Sequence, residues 1–360
     1  MTEINTTQNL PAAHFHENIR GRLLANTLWG VLVAILLVIV VLAGGLPTAR
    51  FLAARNMQNI MWTWLPVALL APTMVLIIAS GGFDLSVGAV AGLTGVTMAW
   101  LVTSAEANLG VAIIAGLGLA LVVGIINGLL IGLVRLNAVL VTLGMMTMLR
   151  GLAYIITSGR AIIVRQADLL PSLIIPAIVL ILLIIVGIAA TELKLMLGKR
   201  QAAPGSKGAW LGQSLFIGLP YVLSSLVAGL VGILYLGRLR SGMPTLGIGL
   251  EVDVILIVFL GGTPFGRGLA NIIGAVLAAL VLAVSQNITT VNGISAFWLS
   301  VGKGAGLLIF GLLGYAYYYA ANFIFVRSKK KAVVEETGTD SPPSSPGEGE
   351  QEPVSSASSL

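Results

Sequence analysis

The chain has 360 residues, 57% of them hydrophobic and only 9% charged, with a formal net charge of +6 and no cysteine. Soluble domains carry roughly 25% charged residues, so the composition excludes a soluble globular protein and predicts an all-α, polytopic membrane protein. Disulfides and thiolate metal sites are excluded too. With His14 and His16 as the only histidines, no metal or redox centre is expected.

A membrane-spanning helix needs ~20 apolar residues, and the chain holds enough for about ten. Residues 1–27 are polar and lack the basic-then-apolar pattern of a cleaved signal peptide, so they read as a cytoplasmic tail. The membrane domain is expected over 28–326. Its spans are predicted at 28–46, ended by Pro47, and at 61–80, where Pro66 and Pro72 should kink the helix. The next three are placed at 87–103, 110–134 and 138–156, followed by a polar loop with Arg160, Arg165 and Asp168. A sixth span at 174–190 precedes a basic, glycine-containing loop at 192–213, and the seventh covers 215–236. A short eighth at 252–260, a ninth at 271–285 and a last at 297–325 complete the set. Residues 327–360 begin with Arg327 and Lys329 to Lys331, then turn to Ser, Pro, Gly and Glu, a composition that cannot bury a core and predicts a disordered cytoplasmic tail. The lysines and arginines favour the side of the two termini, which places both ends in the cytoplasm provided that the eighth span crosses.

Two glycine-rich breaks interrupt this pattern. The first, residues 81–88, reads Gly-Gly-Phe-Asp-Leu-Ser-Val-Gly and puts Asp84 between two apolar runs. A carboxylate at the centre of a membrane helix costs roughly 2.5–3.5 kcal/mol on insertion scales, so it faces protein, water or a helix end. One reading makes Gly81, Gly82, Asp84 and Ser86 part of a broken segment along a translocation path. The other has Asp84 and Ser86 simply cap the following helix at the membrane edge. The second break, residues 261–268, starts with Gly261 and Gly262 and again joins apolar runs; it reads either as the partner of the first in a two-fold repeat or as a plain turn. Further polar residues fall within or at the ends of spans. Asn127, Thr142, Asn287 and Lys303 are candidates for the path or its gating, although Asn127 between two glycines also suits close helix packing. Glu251 and Asp253 stand at a span end. Arg150 and Lys303 both lie within snorkelling reach of an interface, and for Arg150 that bland anchoring role is the expectation.

These stretches, in this order and spacing, resemble the permease subunits of ribose-type ABC importers, in the superfamily of branched-chain amino acid and monosaccharide permeases. The resemblance rests on residues 81–88, on Asn127-Gly128-Leu129-Leu130, on Val141-Thr142-Leu143-Gly144 with Arg150-Gly151-Leu152-Ala153, and on Glu251-Val252-Asp253 leading to Gly261-Gly262-Thr263. It continues through Gly274-Ala275 and Gln286-Asn287 to Lys303-Gly304, covering about residues 55–320. It implies a vitamin-B12-importer-like helical fold in the bacterial inner membrane. It also implies partners: a second permease copy or paralogue, two ATP-binding subunits and a periplasmic binding protein that delivers a monosaccharide or related solute. The chain would be a transporter subunit and not an enzyme, with no nucleic-acid partner. The resemblance further places the ATPase-coupling helix between the sixth and seventh spans, where Gly198, Ala202, Ala203 and Ser206 fit the family pattern. Lys199 replaces its asparagine, Lys207 its glycine, and Arg200 and Pro204 fall between; Pro204 would interrupt a continuous helix.

No Gly-x-x-x-x-Gly-Lys-Ser/Thr phosphate loop occurs, so no cofactor is expected on this chain and ATP would be used by partner subunits. The competing reading is a secondary transporter driven by an ion gradient, with Asp84, Glu251 or Asp253 as its coupling carboxylate.

Overall fold

The computed structural model of the protein describes residues 19–45, 51–165, 207–265, 270–295, 297–313 and 316. All but Ala316 belong to one compact unit, Met1–Tyr315. The predicted sixth span and residues 198–206 of the expected coupling loop lie outside the described residues, as do residues 1–18 and the expected C-terminal tail, whereas residues 19–27 of the expected N-terminal tail are helical.

The architecture is helical. Helix α1 (Ile19–Val40) runs into a π-turn at Val41–Gly45; α2 spans Ala54–Ala79, α3 Val87–Thr103 and α4 Leu109–Gly128, which continues as a π-turn over Leu129–Leu133. Then follow α5 (Ala138–Thr157), α6 (Lys207–Leu239), α7 (Leu250–Leu260), α8 (Ile272–Val291) and α9 (Phe297–Leu313). Two residue pairs depart from the all-α expectation: β1 (Ile162–Ile163) and β2 (Ser241–Gly242) pair antiparallel, Ile162 opposite Gly242, and so bring the ends of α5 and α6 together. Among the described residues six helices are long and apolar enough to cross a membrane, with α3 and α9 as shorter apolar ones. The protein is a multi-pass membrane protein.

Helix α1 starts at Ile19, not at residue 28, and three further expectations are corrected. Helix α2 starts at Ala54, not at residue 61, because the polar Asn56 is absorbed: its amide exchanges hydrogen bonds with Asn287 of α8 at 2.9 and 2.7 Å and donates to the Phe51 carbonyl. Helix α6 starts at Lys207, so the last part of the predicted 192–213 loop is helical. The eighth span is an 11-residue helix; at 1.5 Å per residue it covers about 16 Å, too little to cross alone.

Helix α2 is the centre of the bundle. From Leu65 to Ala79 every residue is buried, Pro66 and Pro72 included, with α6, α7 and α8 packed around it. Its tryptophan Trp64 donates to the Val276 carbonyl of α8 at 3.2 Å. Helices α4 and α5 bury one face only and turn large apolar side chains such as Val122 and Ile155 outward, as a lipid-facing surface requires.

Contact between α4 and α6 is made through backbone. A Cβ at Gly124 would stand 2.8 Å from Val222 Cα, one at Gly128 would stand 2.9 Å from the Gly218 carbonyl oxygen, and one at Gly132 would strike the Ser214 carbonyl oxygen. Glycines four apart on one face allow this approach, which dispersion rewards in a medium without a hydrophobic driving force.

Candidate functional site

Helix α2 ends in a turn that the glycines make possible. Gly81 adopts φ +86°, its N–H returns to the Ile78 carbonyl, and the Gly82 N–H reaches back to Ile77. This is the left-handed C-terminal motif that glycine adopts without a Cβ clash. Gly82 has a second role, since a Cβ there would strike the Tyr221 hydroxyl of α6. The chain then turns once more at Asp84, whose Oδ1 accepts from the Ser86 N–H at 3.0 Å and from the Ser86 hydroxyl at 2.6 Å. That side-chain turn starts α3 at Val87. Ser86 occupies the cap position without capping the helix through its side chain.

Asp84 and Ser86 are completely buried: the turn is enclosed by other helices. Asn127 of α4 donates to the Ser86 hydroxyl at 3.1 Å. Thr142 of α5 shares its hydroxyl between its own helix, at Ala138, and the Phe83 carbonyl at 3.4 Å. Ser224 of α6 stands beside the carboxylate without completing a hydrogen bond, and Asp84 Oδ2 and Asn127 Oδ1 are buried acceptors with no donor. Four helix-bearing segments therefore meet around the buried turn, whose carboxylate is itself bonded by Ser86. Among the described residues no cation pairs with it. Each donor withdrawn from such a buried group costs ~1–3 kcal/mol, more when the group is charged, so the arrangement holds these four segments in one relative position.

The second break repeats the first. Gly262 adopts φ +87°, its N–H returns to the Phe259 carbonyl, and the Thr263 N–H reaches back to Val258, the same pattern of bonds as after α2. The two breaks also meet: the rings of Phe83 and Phe265 stack with centroids 4.8 Å apart and planes 13° apart. Thr263 accepts from the Asn271 N–H at 3.0 Å, and the Asn271 side chain caps α8 by accepting from the Gly274 N–H at 2.9 Å. Trp29 of α1 packs over Gly262 and donates to the Leu260 carbonyl at 2.8 Å.

The remaining candidates are placed elsewhere. Asn287 forms the amide pair with Asn56, and Lys303 of α9 forms an ion pair with Asp253 of α7 at 2.6 Å, to which Gln286 of α8 adds a contact at 3.5 Å. Neither joins the Asp84 cluster. Snorkelling is corrected for Arg150, which turns inward and donates through Nη1 to the Pro244 carbonyl at 3.2 Å and to that of Leu246. Glu251 stands across from it over Gly88 and accepts from the Gly249 N–H at 3.2 Å. Reading the sequence missed Tyr221 and Ser224 as members of the Asp84 cluster, and Asn56 and Gln286 as partners. The Ser224-Ser225 pair inside an apolar span was a visible signal; both hydroxyls are buried without a donor or acceptor partner.

The family described as branched-chain amino acid transport system, permease component, matches residues 56–186 and 217–313. The chain is similar to the ribose import permease protein of Escherichia coli (strain K12), 31% identical over 295 residues that make up 77% of this chain and 90% of that protein. It is similar to the L-arabinose ABC transporter permease protein of Azospirillum brasilense, 30% identical over 274 residues, 72% of this chain and 79% of that one. A third relative, the galactofuranose transporter permease protein of Escherichia coli (strain K12), is 35% identical over 233 residues, 60% and 67% of the respective chains. No solved structure matches the chain significantly.

Proposed function

Because this chain belongs to the permease-component family of branched-chain amino acid transport systems, we propose that it forms the translocation path of an ABC importer for a monosaccharide. It is a permease subunit and not itself an enzyme. The observation that carries the sugar reading is the similarity, over most of both chains, to permeases named for ribose and arabinose. The ion-coupled alternative has no comparable support, and one of its carboxylates, Asp253, is already neutralised by Lys303.

In this reading the membrane domain of 28–326 lies in the bacterial inner membrane between two cytoplasmic tails, 1–27 and 327–360. It has about ten crossings and a vitamin-B12-importer-like arrangement, and it pairs with a second permease copy or paralogue. Two ATP-binding subunits dock from the cytoplasm and a periplasmic binding protein delivers the solute. The chain binds no cofactor of its own. Residues Gly198, Lys199, Arg200, Ala202, Ala203 and Ser206 form the contact with the ATPase, since they stand where the family places that contact. The repeated glycine breaks support the membrane part: Gly81 and Gly262 end their helices in the same way and meet through Phe83 and Phe265, as two related halves meeting at a path would.

The test is reconstitution with the ATPase and the binding protein of the same importer in proteoliposomes, with ribose, arabinose and galactofuranose offered in turn. One sugar stimulates ATP hydrolysis and enters the vesicle; proton-driven uptake by this chain alone, indifferent to ATP, would overturn the reading. The coupling contact is tested separately by Ala202→Asp with Ala203→Asp, which places carboxylates in an apolar contact. Sugar-stimulated hydrolysis falls while the chain remains inserted. Labelling of Ser206→Cys from the periplasmic side of intact cells would exclude the assignment.

A further inference from the structure

Between β2 and α7 the backbone leaves the helical pattern and descends alongside α3. A Cβ at Gly242 would stand 2.6 Å from Ala99 Cβ near the end of α3, whereas Leu246 lies over Gly92 and Gly95, and Gly247 lies against Gly88 near its start. Ala99 and Gly88 are separated by eleven helical positions, which puts the descent at roughly 16 Å, well into a helix flanked by the membrane-length α4, α5 and α6. The segment is a chain of turns, Leu246 N–H to Met243, Ile248 N–H to Thr245 and Leu250 N–H to Gly247, with Gly247 and Gly249 at φ +73° and +84°. The carbonyls of Pro244 and Leu246 are satisfied instead by Arg150, reaching across from the middle of α5.

Non-helical backbone at membrane depth is tolerated only where protein buries it or where it lines a water-filled cavity; lipid cannot satisfy its polar groups. Here one side is buried: Gly242, Pro244 and Leu246 are enclosed, Gly242 and Leu246 against α3. The other side is open: Thr245 and Ile248 are exposed. We infer that the 243–249 segment lines the water-filled path through this subunit, with Thr245 facing the polar solute, and that Arg150 is the positioning residue that holds it there. Gly88, Gly92 and Gly95, on one face of α3, leave the room for the backbone to descend. Glu251, in the first turn of α7, brings its carboxylate over the same Gly88 that the guanidinium faces. The short α7 then takes over for the remaining depth, so the turns and the helix together make one traverse that α7 cannot make alone.

This deepens the transporter reading and rests on it only where uptake is measured. The chain has no cysteine, so Thr245→Cys in the assembled importer in membranes gives a single thiol for a charged, membrane-impermeant methanethiosulfonate reagent. The thiol reacts from water, and its modification blocks uptake of whichever panel sugar the wild type imports. Val122→Cys on the outer face of α4, 56% exposed in the isolated subunit, stays unreactive. Arg150→Gln changes the reaction rate at Thr245→Cys about tenfold, the weight of one hydrogen bond from a charged donor, and Arg150→Lys restores part of it. Should Arg150→Gln fail to insert, the Lys variant against wild type carries the same comparison.

Reagent access is measured without sugar or ATP, so failure to find a transported sugar leaves it decisive. An unreactive Thr245→Cys overturns the inference, and so does its disulfide-linking to a second copy in place of reacting, which would put the segment in an interface. Reaction that leaves uptake intact, or a rate indifferent to Arg150, overturns the path-lining role or the positioning role respectively.

Discussion

Asp84 shows how much one side chain organises when water is absent. Its Oδ1 takes both bonds from Ser86, Asn127 continues the chain of donors, and Oδ2 faces Ser224 without closing a bond. Replacing it by alanine leaves the Ser86 N–H and hydroxyl without their acceptor, at ~1–3 kcal/mol each, yet the apolar spans around it still drive insertion. Asp84→Ala is therefore expected to reach the membrane at normal levels and to lose transport, measured as uptake at matched expression. Asp84→Asn keeps one acceptor for Ser86 and should retain part of it. Full uptake by the alanine variant would show that the cluster only packs.

At the scale of elements, glycine decides which helices touch. Gly92 on α3 lies under the Leu246 carbonyl, where a Cβ would stand 2.6 Å away, and 2.9 Å from Arg150 Nη1. Gly118 on α4 has nothing within 4 Å of the same position. The two glycines look alike in sequence, both inside apolar helices. Gly92→Ala must push the turn segment off α3 and is expected to lower the melting temperature of the detergent-solubilised protein. Gly118→Ala meets open space and gains the ~0.8–1 kcal/mol of helix propensity that separates alanine from glycine, so it leaves the melting temperature equal or higher. Equal effects from both would mean that the close approach of the turns to α3 contributes nothing to stability.

Across the whole molecule, the two breaks are joined although they are far apart in the chain. Phe83 and Phe265 stack at 4.8 Å, behind two glycines of nearly equal positive φ. A path that opens and closes at this junction has to part the rings. In the cysteine-free background, Phe83→Cys with Phe265→Cys is expected to form a disulfide under mild oxidation, seen as a mobility shift that reductant reverses. Oxidation should then stop uptake and reduction restore it. A bridge that forms while uptake continues would show that the breaks stay together throughout the cycle.

Much of this protein is determined locally. Long apolar runs must become helices in a membrane because every backbone group has to be satisfied within its own segment, and the expected starts at 87 and 138 coincide with those of α3 and α5. The glycine breaks were legible for the same reason, since paired glycines between apolar runs end helices whatever surrounds them. What the sequence could not decide is where a polar side chain finds its partner. Arg150 within snorkelling reach of an interface satisfies itself equally well in the headgroups or on a carbonyl, and only the descent of the 243–249 turns along α3 chose the second. Asn56 and Lys303 were settled likewise by Asn287 and Asp253, partners far away in the chain. Helix formation in lipid is set by composition; the pairing of buried polar groups is set by which helices lie side by side, and that is a property of the folded chain alone.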